Sequence, residues 1–359
     1  MKITTVGLDI AKRVFQLHGV DAAGKAVLRR KLQRSEVLAF FKALPPCLVG
    51  IEACGTAHYW ARQIRELGHE VRLMPPSYVA PYVKRGKTDA ADAAAICEAV
   101  TRPTMRFVPI KTAEQQAVLM LHRTRDLLVR QRTMLVNALR GHMAELGIIA
   151  PQGIARVADL MAVLLGEDTT NVPGLAREAL RGLAADLEAL DRRVKEIEVA
   201  IVRWHKDNEA SRRLATIPGV GPITASAIVA TITDPFQFHS ARHLAAWIGL
   251  VPRQHSSGGK QRQGGISKQG DRYLRRLLVL GATAVIRHSR SKSTAEAGWL
   301  KSLLERRPAR LVSVAQANKT ARIVWALLVR GEAYRMPQQS QVAQPEAEGT
   351  PSAVATADG

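Results

Sequence analysis

Four acidic residues stand where short structural elements would begin or end. Asp9 closes an apolar run that starts at Ile3, and Glu52 closes a second that starts at Cys47. Asp89 and Asp92 lie in Lys87-Thr88-Asp89-Ala90-Ala91-Asp92-Ala93, spaced i, i+3 at the head of an alanine-rich segment, so that both carboxylates can share one helix face. Taken singly, each has an ordinary explanation: acids favour helix amino termini, and strand ends are solvated. Gathered together they would repel one another unless cations sat between them. Oxygen donors of this kind suit Mg2+ or Mn2+. Two such ions about 3.5–4 Å apart can clamp the attacking and leaving oxygens of a phosphodiester.

A second chemistry is written further along. The stretch Gly249 to Gly270 is rich in glycine and base, and it holds adjacent serines, Ser256 and Ser257, followed by Gly258-Gly259-Lys260-Gln261-Arg262. A serine there could act as a nucleophile, with Lys260, Arg262, Lys268, Arg272, Arg275 and Arg276 holding phosphate charge. By itself the pattern says only that a flexible basic loop is present, and His255, a sequence neighbour, need not point at the same atom. Leu214 to Ala225 resembles a helix-hairpin-helix, in which Gly219 and Gly221 allow a tight turn and close approach to phosphates. Its ordinary reading is a plain helix–helix turn. The loop Lys84-Arg85-Gly86-Lys87, beside the paired aspartates, would suit a phosphate backbone.

The elements that must position these groups follow from periodicity. Strands are expected over Ile3–Ala11, Val14–Val20 and Ala26–Gln33 at hairpin spacing, then over Cys47–Glu52 and Glu70–Met74. A helix capped by Ser35 should run to Leu44 before Pro45-Pro46, and a second should run from Ala57 to Leu67, stopped at Gly68. Three strands, a helix, a strand, a helix and a strand make an α/β domain with a mixed sheet, in the order of a ribonuclease H fold. Beyond Thr112 the signal is helical: Leu119–Leu146 is basic and amphipathic, and residues 151–172 carry no clear pattern. From Arg177 to Asp207 the residues Leu180, Leu183, Leu187, Leu190, Val194, Ile197, Ile201 and Trp204 alternate spacings of three and four, a coiled-coil seam. Such a seam leans toward self-association, as a homodimer or homotetramer. A third, mostly helical region from about Ser211 to Arg335 includes a helix over Asp271–Ile286, and residues 336–359 have a disordered composition.

Charge narrows the partners. Lys and Arg number 52 against 31 Asp and Glu, a formal net charge of +21. Each phosphate neutralised by Lys or Arg releases a condensed counterion, so a surplus of this size points to nucleic acid. Cys47, Cys54 and Cys97 form no zinc spacing and read as reduced thiols. No signal peptide or membrane span is apparent, and a cytoplasmic protein with no membrane partner is expected.

The chain resembles the IS110 family of transposases, in its IS1111-like branch. The resemblance spans the chain to about Arg335 and rests on five stretches in order: Gly7 to Lys12, Gly50 to Gly55, Lys87 to Ala93, Ile217 to Pro222, and Ser257 to Lys260. It implies a RuvC-like domain whose D-E-D-D tetrad is Asp9, Glu52, Asp89 and Asp92. It also implies a carboxy-terminal transposase domain whose serine, just before a glycine, is Ser257, with Ser256 as an adjacent alternative. Implied with these are a transient phosphoserine link to DNA, Mg2+ (or Mn2+) on the acids, and double-stranded DNA at element ends, junction and target. Some members of the family also use a structured guide RNA. The expected architecture is α/β plus all-α: a RuvC-like domain over 1–110, a helical coiled-coil region over 111–210, a transposase domain with helix-hairpin-helix and serine loop over 211–335, and a tail over 336–359. Two other readings compete. A RuvC-like junction endonuclease using water would need the acids but not Ser257, and a nucleic-acid scaffold would need neither.

Overall fold

The computed structural model describes residues 2–84, 86, 88–149, 153, 162, 172–289 and 295–335. Its contacts divide the chain into two compact units, the first comprising residues 1–215 and 220–239, the second 216–219 and 240–359.

The first unit begins with a sheet of five strands: β1 (Thr5–Ile10), β2 (Val14–Val20), β3 (Ala26–Gln33), β4 (Leu48–Glu52) and β5 (Glu70–Met74). They lie in the order β3-β2-β1-β4-β5. The first three pair antiparallel, whereas β1–β4 and β4–β5 pair parallel, so the sheet is mixed. Alternation sorts its residues. Val6, Leu8, Leu17, Val49 and Ile51 turn to one face and bury against α1 (Val37–Ala43) and α2 (Ala57–Glu66), through Phe41, Trp60 and Ile64. Gly7, Asp9, Gly50 and Glu52 have the opposite parity and take the face covered by α4 (Asp89–Ala99). A short helix, α3 (Pro76–Val79), connects to it. Ile96, Ala99 and Val100 at the end of α4 pack with Met74 and Val79.

Ser35 is not the cap of α1. Glu36 occupies that position, in a helical conformation and with no side-chain cap bond. Its carboxylate instead accepts the Gln33 N–H at 2.6 Å, and its own N–H donates to the Gln33 carbonyl at 2.9 Å. The helix thus begins one residue later than a Ser35 cap would place it, after a turn closed between Gln33 and Glu36. By contrast, α4 and α5 (Ala113–Glu145) start on true caps. Thr88 accepts from the Ala91 N–H, and Thr112 forms a reciprocal capping box with Gln115.

Helix α5 packs against α6 (Gly174–Asp207), and the pairing is antiparallel, because ion pairs join Arg125 to Glu198 at 2.6 Å and Arg132 to Asp191 at 2.8 Å. Leu180, Leu187, Val194 and Ile201, one set of seam positions seven apart, are buried. The set Leu183, Leu190, Ile197 and Trp204 is half-buried. One edge of the seam is therefore satisfied within the chain. The unit ends with α7 (Glu209–Leu214) and α8 (Pro222–Thr231), which pack on one another. His122 of α5 meets Ser226 of α8 at 3.1 Å in the interior. Ser226 donates its own proton to the Pro222 carbonyl at 2.6 Å, so the imidazole is the donor in that pair.

The second unit holds α9 (Ala241–Trp247), a ribbon of β6 (Pro252–Gln254) and β7 (Gln263–Ile266), then α10 (Arg272–Ser289), α11 (Ala295–Arg306) and α12 (Ala309–Arg330). Helix α12 packs on α9 and α10, and an Asn318 amide donates to the Leu250 carbonyl at 3.1 Å. The segment over 151–172 lies largely outside the described residues, and the tail over 336–359 lies wholly outside them. Among the described residues no helix is long and apolar enough to cross a membrane.

Candidate functional site

The four acids come together at the carboxyl ends of two parallel strands, where open α/β sheets bind their ligands. In the β1–β4 register Gly7 stands beside Gly50 and Leu8 beside Ile51, so one further step sets Asp9 beside Glu52. Asp89 and Asp92 occupy the first turn of α4, over the same face.

What lets α4 come so close is a pair of glycines. A Cβ on Gly7 would lie 2.2 Å from the Ala93 carbonyl oxygen and 2.4 Å from the Cys97 nitrogen, both backbone atoms of α4. A Cβ on Gly50 would lie 2.8 Å from the Val100 side chain. The two glycines are register partners, and each precedes an acid by two residues on the same face. They were not among the residues singled out for chemistry. Their signal was in plain view: the triplets Gly7-Leu8-Asp9 and Gly50-Ile51-Glu52 share one pattern, glycine, apolar, acid.

Electrostatics register the convergence. Burial, followed by the charges of Asp92, Asp89 and Glu52, raises the Asp9 carboxyl to about 6. Glu52 is also raised, by burial and then by Asp92. Asp9 and Glu52 thus feel the charge of the acids on α4. Among the described residues no three His, Cys, Asp or Glu side chains are close enough to enclose a metal ion. The cluster is close enough to repel but not closed to a ligand set. Lys84 is exposed just before α4, and Arg85 and Lys87 of the same loop lie outside the described residues.

Ser257 belongs to the second unit. It sits at the tip of the β6–β7 ribbon, bridged to Lys260 across Gly258 and Gly259. Both glycines have positive φ, 56° and 78°, the geometry of a type I′ turn that glycine adopts without strain. Ser257, Lys260 and Arg262 are exposed there, and Ser256 accepts a hydrogen bond from the Gln254 amide at 3.2 Å. His255 joins the ribbon through its backbone, its N–H donating to the Arg262 carbonyl at 2.8 Å.

The ribbon is anchored at its base. Lys268 holds a φ of 56°, rare for a residue with a side chain, and its N–H donates to the Gly249 carbonyl. Arg275 Nη1 donates to the carbonyls of Ile248 at 2.8 Å and Gln269 at 2.6 Å, so this guanidinium ties loop to helix. Arg272 and Arg276 are exposed on α10, and Arg276 stacks over Tyr273 at 5.3 Å. In the turn between α7 and α8, Gly219 has a φ of 82°, and a Cβ there would lie 2.7 Å from the Gly281 carbonyl oxygen. Its missing side chain is accounted for by α10. Gly221, at the amino cap of α8, faces open space.

Two family models match the chain. One, described as a transposase and of the DEDD type, covers residues 6–148, and one described as the transposase IS116/IS110/IS902 family covers residues 211–296. The chain is 52% identical over 336 residues to a probable family 20 transposase of Pseudomonas aeruginosa, covering 93% of this chain and 99% of that protein. It is 42% identical over 333 residues to the transposase for insertion sequence element IS1111A of Coxiella burnetii, covering 93% and 92%. A shorter likeness, 40% over 79 residues, covers 22% of this chain and 24% of a pilin gene-inverting protein of Moraxella bovis.

Proposed function

The chain belongs to the IS110 family of transposases, enzymes acting on DNA, and from that premise we propose a recombinase that cuts and rejoins strands through Ser257 with the help of metal-bound acids. The observation that carries the reading is the convergence of Asp9, Glu52, Asp89 and Asp92 at one end of a mixed sheet, mutually repelling and half-buried at Asp9. Four carboxylates with no nitrogen or sulfur donor fit a hard divalent cation, Mg2+ or Mn2+. These four residues would hold it, and when bound it supplies Lewis acidity and charge neutralisation at the phosphodiester. Relief of the repulsion around Asp9 would contribute to its affinity.

Ser257 Oγ loses its proton as it bonds to phosphorus, and the bond from phosphorus to the departing strand oxygen breaks, that oxygen gaining a proton. A strand hydroxyl then attacks the phosphoserine to rejoin DNA and restore the serine. Lys260, Arg262, Lys268, Arg272 and Arg276 would hold phosphate charge around the ribbon. Ser256, one residue from the tip, remains the alternative nucleophile. Water as nucleophile would leave the ribbon and its two positive-φ glycines without a task.

The domains expected over 1–110, 111–210 and 211–335 then divide the labour into metal chemistry, assembly and serine chemistry. The half-buried edge of the α6 seam supports a homodimer or homotetramer. Gly219 is taken up by packing on α10, so Gly221, open to solvent at the head of α8, is the glycine that fits a helix-hairpin-helix contact to backbone, and the net charge of +21 supports a structured guide RNA beside DNA. An excision assay on a plasmid-borne element tests the reading. Asp9→Asn, Asp89→Asn and Ser257→Ala should each abolish excision while the chain stays folded. Retained excision in both Ser257→Ala and Ser256→Ala would refute the serine chemistry.

A further inference from the structure

A recess of about 560 Å3 opens at the same end of the sheet as the acids, but on the α2 side. Its walls include Lys12 and Arg13 of the β1–β2 turn, Arg34 just after β3, and Tyr59 and Trp60 of α2. It is a shallow recess open to solvent, a shape that admits a stacked base from outside rather than an enclosed ligand. Three cations face it, and among the described residues no acid lines it. Glu36, next in sequence to Ser35 of its wall, has its carboxylate engaged with the Gln33 backbone N–H.

The recess is partly preorganised. Arg34 lies over the Trp60 ring at 5.1 Å and over Phe15 at 5.8 Å, and its Nη1 donates to the Lys12 carbonyl at 3.5 Å. Trp60 is 3% exposed and meets Tyr59 edge-on, with ring centroids 5.4 Å apart. Tyr59 is 45% exposed, a large aromatic ring left open to solvent beside three cations. Aromatic faces interleaved with basic side chains are the means by which proteins hold unpaired bases and their phosphates. Lys12 and Arg13 follow Asp9 by three and four residues, so this turn lies at the same end of the sheet as the acids.

We propose that this recess is a subsite for an unpaired nucleotide of the DNA strand leaving the acidic cleft, its base stacked on Tyr59 and its phosphate held by Lys12, Arg13 and Arg34. The proposal rests on the transposase reading for the identity of the strand, but its binding step needs neither the metal nor Ser257. It gives the enzyme a grip on the freed end between cutting and rejoining.

The test uses the full chain in EDTA and a short fluorescein-labelled oligodeoxythymidylate, followed by anisotropy. Tyr59→Ala should weaken binding by about 5- to 150-fold, while Tyr59→Phe keeps it. Lys12→Ala and Arg13→Ala, exposed turn positions, should each flatten the dependence of log affinity on log salt by about 0.7. A duplex of the same sequence should lose no affinity in Tyr59→Ala. Unchanged oligonucleotide affinity in Tyr59→Ala together with an unchanged salt slope in Lys12→Ala overturns the proposal. A loss confined to the matching oligoribonucleotide overturns the assignment to DNA. Because the assay excludes metal, its failure leaves the excision result to judge the acids separately.

Discussion

Adding one carbon at Gly7 should separate the two halves of the acidic cluster. An alanine Cβ there lies 2.2 Å from the Ala93 carbonyl oxygen and 2.4 Å from the Cys97 nitrogen. Both are backbone atoms of a regular helix, so neither can swing aside as a long side chain would. Restoring an ordinary spacing of 3.4 Å requires α4 to retreat by about 1 Å. Overpacking of this kind costs roughly 1–3 kcal/mol. Asp89 and Asp92 ride on the first turn of α4, while Asp9 and Glu52 stay with the strands. A displacement near 1 Å among groups that position a reacting phosphate costs about a hundredfold in rate. Urea denaturation and plasmid excision should be measured on Gly7→Ala beside Gly182→Ala, an α6 glycine with open space around it, which should gain about 0.5–1 kcal/mol. Gly7→Ala should lose stability and most excision. If it unfolds and excises like wild type, α4 is not seated on β1 as described, and the positioning argument fails.

Further outcomes follow from the same geometry. Asp9 holds its proton up to about 6 in the fold against 3.8 ordinarily, so the cost of ionising it is absent below about pH 4, grows through pH 4–6 and is full at pH 7. Asp9→Asn should therefore melt higher than wild type at pH 7 in EDTA and show no advantage near pH 4, and excess Mg2+ at pH 7 should reverse the order, because it stabilises only the intact cluster. Gly281→Ala places a Cβ 2.0 Å from the Gly219 carbonyl oxygen, and it should cost roughly 1–3 kcal/mol by calorimetry; an unchanged melting point would contradict that contact.

Strand positions were legible because half-buried strands announce themselves by alternation. The expected limits of β2, β3 and β5 coincide with the observed ones, and β1 and β4 lose only end residues. The cap on α1 was not legible: propensity favours serine at a helix start, but the Glu36 carboxylate closes back on the Gln33 N–H and the helix begins after it. The acids could be named from their positions at element ends. Their closeness depends on Gly7 and Gly50, whose importance appears only when α4 lies across them, a long-range contact that no local window contains. The stripe on α6 was visible as a seam, but its partner was not. Periodicity says that a face is buried without saying against what, and here the partner for one edge is α5. The glycine-serine ribbon was read as a loop, since two strands of three and four residues leave little alternation to find.

The most direct measurement is a covalent trap. The protein is expressed with its element, the lysate is denatured, and DNA that stays attached to the chain is quantified for wild type, Ser257→Ala and Asp89→Asn. A serine-linked recombinase that depends on its acids gives an adduct in wild type and none in either variant. An adduct that survives in Ser257→Ala, or DNA nicking that needs Asp89 with no adduct in any form, would contradict the account.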